Sequence, residues 1–278
     1  MTLDRPPQSA CRAALIQRFR RLSPRIALDE KGYVGEATLN LIDGVRLDDF
    51  EADLRQGDGN EMEGKFLAAH SSSALAVNTF APFKRDIAAL RLPGGVGLFS
   101  SLQFERKCPH GLVGRRSPNL DLLAEGPNEV VAVESKCLEH LAPHTAEFSP
   151  AYGAEIIDDR RQTAWFREMQ RLVEEPRRYR WLDAAQLVKH AFGIAHTFPD
   201  RAATLLYLFW EPSNPDGYPT FAEHRSEVSR FKASVVGSGP KFIAMSYPEL
   251  WELWSKQGEP EWLMPHVSRV RARYGVEV

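Results

Sequence analysis

The chain has 278 residues, 43% hydrophobic and 26% charged; it can bury a substantial core, and its composition excludes a disordered or fibrous protein. A formal charge of −2 gives no overall attraction to nucleic acid, so binding of that kind must come from local basic patches. Three scattered cysteines, no apolar leader after Met1 and no apolar run long enough to span a bilayer predict a cytoplasmic protein with free thiols and no membrane association.

In chain order, helical spacing of Cys11, Ala14, Leu15 and Phe19 predicts a first helix over residues 9–22. Residues 31–45 read as irregular or as a short hairpin, and residues 47–54 as a helix opened by Asp48 and Asp49. Residues 61–91 read as helix in two pieces, with Ser71, Ser72 and Ser73 as a natural cap and Pro82 as a break. The same serines, with Asn78, could instead line a substrate groove. Strands follow at 98–106, 118–124 and 130–138. A long connection and a charged helical segment (155–175) lead to an amphipathic helix at 181–198 and a fully apolar strand at 202–210. Beyond it the pattern gives a helix at 221–235, a strand at 241–245 and closing helices rich in tryptophan.

The chemistry concentrates on the second and third strands. Gly126 and Pro127 favour a reversal between them, so the two runs read as a hairpin. Period-two alternation puts Glu134 and Lys136 on one face and Val131, Val133 and Ser135 on the other. If the hairpin is centred between Pro127 and Asn128, Asp121 lies opposite Glu134, with Cβ atoms roughly 4.5–5.5 Å apart. Two facing carboxylates repel unless a cation sits between them, and carboxylate oxygens suit Mg²⁺ or Mn²⁺. The bland alternative is an acidic pair on a solvated sheet face with Lys136 neutralising one member.

Pro118, Asp121, Glu134 and Lys136 resemble the motif of the PD-(D/E)XK nuclease superfamily, with the proline three positions before the aspartate instead of adjacent to it. The element order resembles the restriction-endonuclease-like αβββαβ core over residues 60–210. The fold implied is α/β: a central mixed sheet flanked by helices, in a single domain over 1–278, with an N-terminal extension (1–59) and a C-terminal elaboration (211–278). The resemblance implies a metal-dependent nuclease acting on DNA. Asp121 and Glu134 would bind Mg²⁺ or Mn²⁺, and Lys136 would activate water, for which its pKa would have to be depressed. Superfamily members often add a glutamate from the first core helix; Glu61 and Glu63 both offer one but point to different helix faces, and Glu61 is favoured because Glu63 abuts Gly64 and Lys65. Gln186 to His190 resembles a Q-x-x-x-Y element on the helix after the lysine strand, with histidine where the tyrosine stands. Arg115, Arg116 and Lys189 would contact the nucleic-acid backbone, and a homodimer would cut two strands. From another class, the same fold could serve as a non-catalytic nucleic-acid-binding or structural module.

Overall fold

The computed structural model describes residues 7–56, 61–95, 97–112, 119–154 and 162–278. At their centre is a five-stranded sheet in the order β1 (Ser101–Lys107), β2 (Asn119–Glu125), β3 (Glu129–Lys136), β4 (Ala202–Phe209), β5 (Lys241–Ser246). β1, β2 and β3 pair antiparallel, whereas β4 joins β3, and β5 joins β4, in parallel. A parallel neighbour cannot be reached by a tight turn. The chain therefore leaves β3, crosses one face through α4 (Ala151–Ala154), α5 (Ala164–Glu174) and α6 (Ala184–Thr197), and re-enters as β4. Before the sheet stand α1 (Pro7–Leu22), α2 (Glu51–Gln56) and α3 (Ser72–Phe80); after β4 come α7 (Pro219–Val235), α8 (Tyr247–Ser255) and α9 (Leu263–Tyr274). The expected mixed α/β architecture with an αβββαβ succession is present, extended by β5 and the closing helices.

Two hydrophobic layers sandwich the sheet. Val131 and Val133 pack with α3, α8 and α9, while Val130 and Ala132 pack with α5, α6 and α7. All four are wholly buried, which is why β3 reads as a continuous apolar run. The register of β2 on β3, Leu122 opposite Val133 and Leu123 opposite Ala132, is that of a hairpin centred between Pro127 and Asn128. The face assignment drawn from alternation also holds.

Residues 61–91 differ from expectation. Only Ser72–Phe80 form an α-helix, with 3-10 turns at Glu61–Glu63, Lys65–Leu67, Ala81–Lys84 and Ile87–Ala89. Gly64, in a non-helical conformation, interrupts the chain upstream, and Ser71 opens α3 by accepting a hydrogen bond from the Ala74 N–H. Glu61, expected at the start of the first core helix, therefore lies outside α3 on a separate turn, and its side chain lies outside the described residues. Asn78 lines no groove. It is wholly buried, accepting from the Ile42 N–H and donating to the Asn40 carbonyl and the Tyr274 hydroxyl, so it ties the N-terminal segment to α9. Of the 155–175 segment, residues 155–161 lie outside the described residues, and α5 begins at Ala164 behind a Thr163 cap. Among the described residues no helix is long and apolar enough to cross a membrane.

α6 is fixed at both ends. Asp183 caps it through the Gln186 N–H, and at Gly193 it meets the chain beyond β1, where an added Cβ would stand 2.4 Å from the Cys108 carbonyl oxygen. Alanine favours a helix over glycine by about 1 kcal/mol. A clash with backbone carries the larger cost, about 1–3 kcal/mol. Gly193→Ala is accordingly expected to lower the unfolding free energy, measured by urea titration, in spite of its better helix propensity.

Candidate functional site

The site forms at the C-terminal end of β3, on the face covered by α6. Lys136 Nζ donates to Glu134 Oε1 at 2.5 Å and to Gln186 Oε1 at 2.8 Å. Alternation brings Glu134 and Lys136 to the same face, and the Asp183 cap sets Gln186 one turn into α6, above them. One turn further on, His190 Nε2 stands 2.8 Å from Glu134 Oε2. Glu134 and His190 are 2% and 1% exposed.

Asp121 enters from β2. The ladder pairs Leu122 with Val133, which brings Asp121 opposite Glu134, but the paired residues of β2 and β3 end there. Beyond that point the Asp121 carboxylate substitutes for the backbone: Oδ2 accepts the Ser135 N–H at 2.6 Å. Ser135 faces the other layer, sharing a 2.6 Å hydrogen bond with the Tyr247 hydroxyl. Asp121, Glu134, Lys136 and Gln186 are thus gathered at one end of the hairpin.

One contributor was not anticipated from the sequence. Phe104 lies opposite Leu122 and Arg106 opposite Leu120, so Glu105 of β1 falls opposite Asp121. Its φ of 49° is left-handed, unusual for a residue with a side chain, and its Oε2 accepts from Asn119 Nδ2 at 3.4 Å. Strain of this kind costs on the order of 1–3 kcal/mol and clusters at functional sites. The only sequence signal was an acidic residue in a strand paired to β2, which becomes legible once that register is known.

Charge and burial act together here. Burial first, and then the charge of Glu134, push the Asp121 carboxyl well above the usual carboxylate range. Burial would raise Glu134 too, but Lys136 and His190 outweigh it and hold its pKa down to about 2. For Lys136, burial favours the neutral amine, yet Glu134 and Asp121 prevail and raise its pKa. The depressed lysine pKa expected of a water-activating base is therefore not what this arrangement produces; Lys136 is held as an ammonium.

Lys189, also on α6, places its ammonium 5.3 Å from the centre of the Phe148 ring. Arg115 and Arg116 lie outside the described residues, as does Pro118. Cys108 and Cys137 pack in opposite layers of the sheet. Among the described residues no group of three or more His, Cys, Asp or Glu side chains converges closely enough to hold a metal ion. What the hairpin offers a cation is a hard-oxygen pair, Asp121 and Glu134, and one observation fits it: the repulsion that drives Asp121 toward protonation is the kind a divalent ion removes.

The model of a family described as Restriction Endonuclease associating with ARP matches residues 17–275. No curated protein and no solved structure matches the chain.

The electrostatics give two expectations for metal-free protein in EDTA. Glu134→Gln leaves the Lys136 charge buried without its partner and should cost about 3–5 kcal/mol in urea unfolding, most of it recovered when Lys136→Met is added. The folded pKa of Asp121 lies above its unfolded value. The ionised carboxylate therefore penalises the folded state from about pH 3.9 upward, fully once pH passes the folded pKa. Asp121→Asn removes that penalty, so its stability relative to wild type should grow between pH 4 and neutrality; a constant difference would show that Asp121 does not titrate abnormally.

Proposed function

The chain belongs to the family of restriction endonucleases associating with ARP, and from that premise we propose that it hydrolyses phosphodiester bonds in DNA with the help of Mg²⁺ or Mn²⁺ bound at the end of β3. The observation that carries the reading is the convergence of Lys136, Glu134 and Gln186 with Asp121 on the adjoining strand. A surface ion cluster would not need a glutamate that is 2% exposed, and burying charge is costly unless it serves a purpose.

Asp121 and Glu134 would hold the ion, joined by the Ser135 carbonyl. A bound divalent cation would acidify a coordinated water and neutralise charge developing on the phosphoryl oxygens. Lys136 contributes as a fixed ammonium. It orients water through its N–H donors and offsets the negative charge that builds as water adds to phosphorus and the deoxyribose oxygen leaves. Gln186 holds Lys136 from the α6 side, so that the ammonium is aimed by two acceptors and does not collapse onto Glu134 alone. His190 backs Glu134 from the protein interior. Lys189, half-buried one turn along the same helix with its ammonium over the Phe148 ring, is suited to the nucleic-acid backbone, as are Arg115 and Arg116 just before β2 in the sequence. The family description names an association with ARP, and a protein partner of that name belongs to this reading.

The test is incubation of the purified protein with plasmid, linear duplex and single-stranded DNA in Mg²⁺ or Mn²⁺. Loss of metal or of Lys136 removes several kcal/mol of transition-state stabilisation. Cleavage by wild type should therefore fall more than about a thousandfold in EDTA, in Asp121→Ala and in Lys136→Ala. Cleavage retained by both variants would place the activity elsewhere, and no cleavage of any DNA would favour a binding module.

A further inference from the structure

The helical layer over the site holds a cavity that the reaction proposed above leaves unused. Its volume is about 760 Å³, and it lies between α4, α5 and the stretch of chain before α4. The lining is largely apolar. Tyr152, Phe166 and Met169 are buried beneath it, and Val173 at its edge is 57% exposed. Phe148 forms one wall, edge-on to Tyr152 with ring centres 5.7 Å apart. Gln170 and Glu174 line the exposed side. The cavity adjoins the candidate site through α6. Tyr152 meets Phe192 of that helix at 6.2 Å between ring centres. Gln186 holds Lys136, and Lys189, three residues later on the same side of α6, places its ammonium over the Phe148 ring. A cation and an aromatic wall thus stand together beside the groups that would cut the strand.

Resting on the nuclease reading above, we propose that this cavity takes one unpaired base of the DNA strand being cut, its ring beside Phe148 and its phosphate on Lys189. A nucleotide has the matching pattern, an anionic phosphate joined to a flat ring with apolar faces and hydrogen-bonding edges. Every base has a π-face, so stacking of this kind tolerates any sequence. Gln170 and Glu174 offer polar groups to the base edge. A base inside a duplex is paired and stacked between its neighbours and has to be turned out before it can enter such a cavity, at a cost that is least where it is already unpaired. The substrate class that follows is single-stranded DNA, or duplex DNA containing an unpaired or damaged base.

DNA binding by the full chain in EDTA tests this apart from metal and cleavage. An oligo(dT) strand carrying one 5-iododeoxyuridine should cross-link on irradiation to Phe148 or Tyr152, located by mass spectrometry of the digested adduct. Phe148→Ala should abolish that cross-link and weaken binding of the single strand about tenfold or more, with a change of about twofold at most for a fully paired duplex. Phe148→Tyr keeps a stacking ring and should retain both cross-link and affinity. Val173→Asp sets a carboxylate at the exposed edge of the cavity and should also weaken the single strand; it serves if Phe148→Ala does not fold. Cross-links only outside the cavity, or a single strand held equally by wild type, Phe148→Ala and Val173→Asp, overturn the proposal, and are the result if a protein segment fills the cavity instead. No binding of the single strand by wild type overturns it too. The nuclease reading fails separately, on absence of cleavage in Mg²⁺ or Mn²⁺.

Discussion

Two carboxylates brought face to face at the end of a hairpin are the constraint on which the rest of this structure turns. The β2–β3 register that buries Leu122, Leu123, Ala132 and Val133 also sets Asp121 against Glu134. That register is not adjustable, since a slip of one residue would turn every apolar side chain of a doubly buried strand to the wrong layer. The repulsion is contained instead of avoided. The ladder ends, the Asp121 carboxylate takes the Ser135 N–H, and Lys136 locks onto Glu134. Hydrophobic packing pays for a polar arrangement that would not form by itself.

The helices on that face serve the same end. α6 buries its Leu187, Val188 and Phe192 side against the sheet, and this leaves Gln186 and His190 directed at the two charges of β3. Its placement is over-determined by the Asp183 cap and by the contact at Gly193, where no side chain fits. A site whose elements are fixed by core packing holds its groups ready without reorganisation, which is where electrostatic stabilisation of a transition state comes from. The opposite layer anchors β3 from behind through the Ser135–Tyr247 hydrogen bond.

Much of this was legible because it depends on local rules. Gly126 and Pro127 between two apolar runs specify a hairpin, its centre specifies which residues oppose, and period-two alternation puts Glu134 with Lys136; all three hold in the structure. The spacing from Gln186 to His190 is a helix turn and places both on one face. What failed depended on tertiary context. Residues 61–71 are helical by composition, yet Gly64 and the packing of Phe66 into the core leave two 3-10 turns there, and Glu61 is displaced from α3. Glu105 went unread because its relation to Asp121 exists only through the β1–β2 register and a left-handed backbone. The raised pKa of Lys136 could not be foreseen either, since it depends on whether burial or two nearby anions prevails.

Asp121 carries a raised pKa, Glu105 a strained backbone, and Glu134 a charge buried between Lys136 and His190. Features of this kind each cost on the order of 1–3 kcal/mol in a protein whose whole stability is about 5–15 kcal/mol. They are not scattered; they meet where β1, β2, β3 and α6 converge. Selection for stability alone would remove them, since apolar residues of similar volume would fit the same layers at lower free energy. Their concentration is what a site looks like when its groups are arranged for something that binds there. A ligand that satisfies those groups also stabilises the fold in proportion to its affinity, so that binding and folding draw on the same interactions.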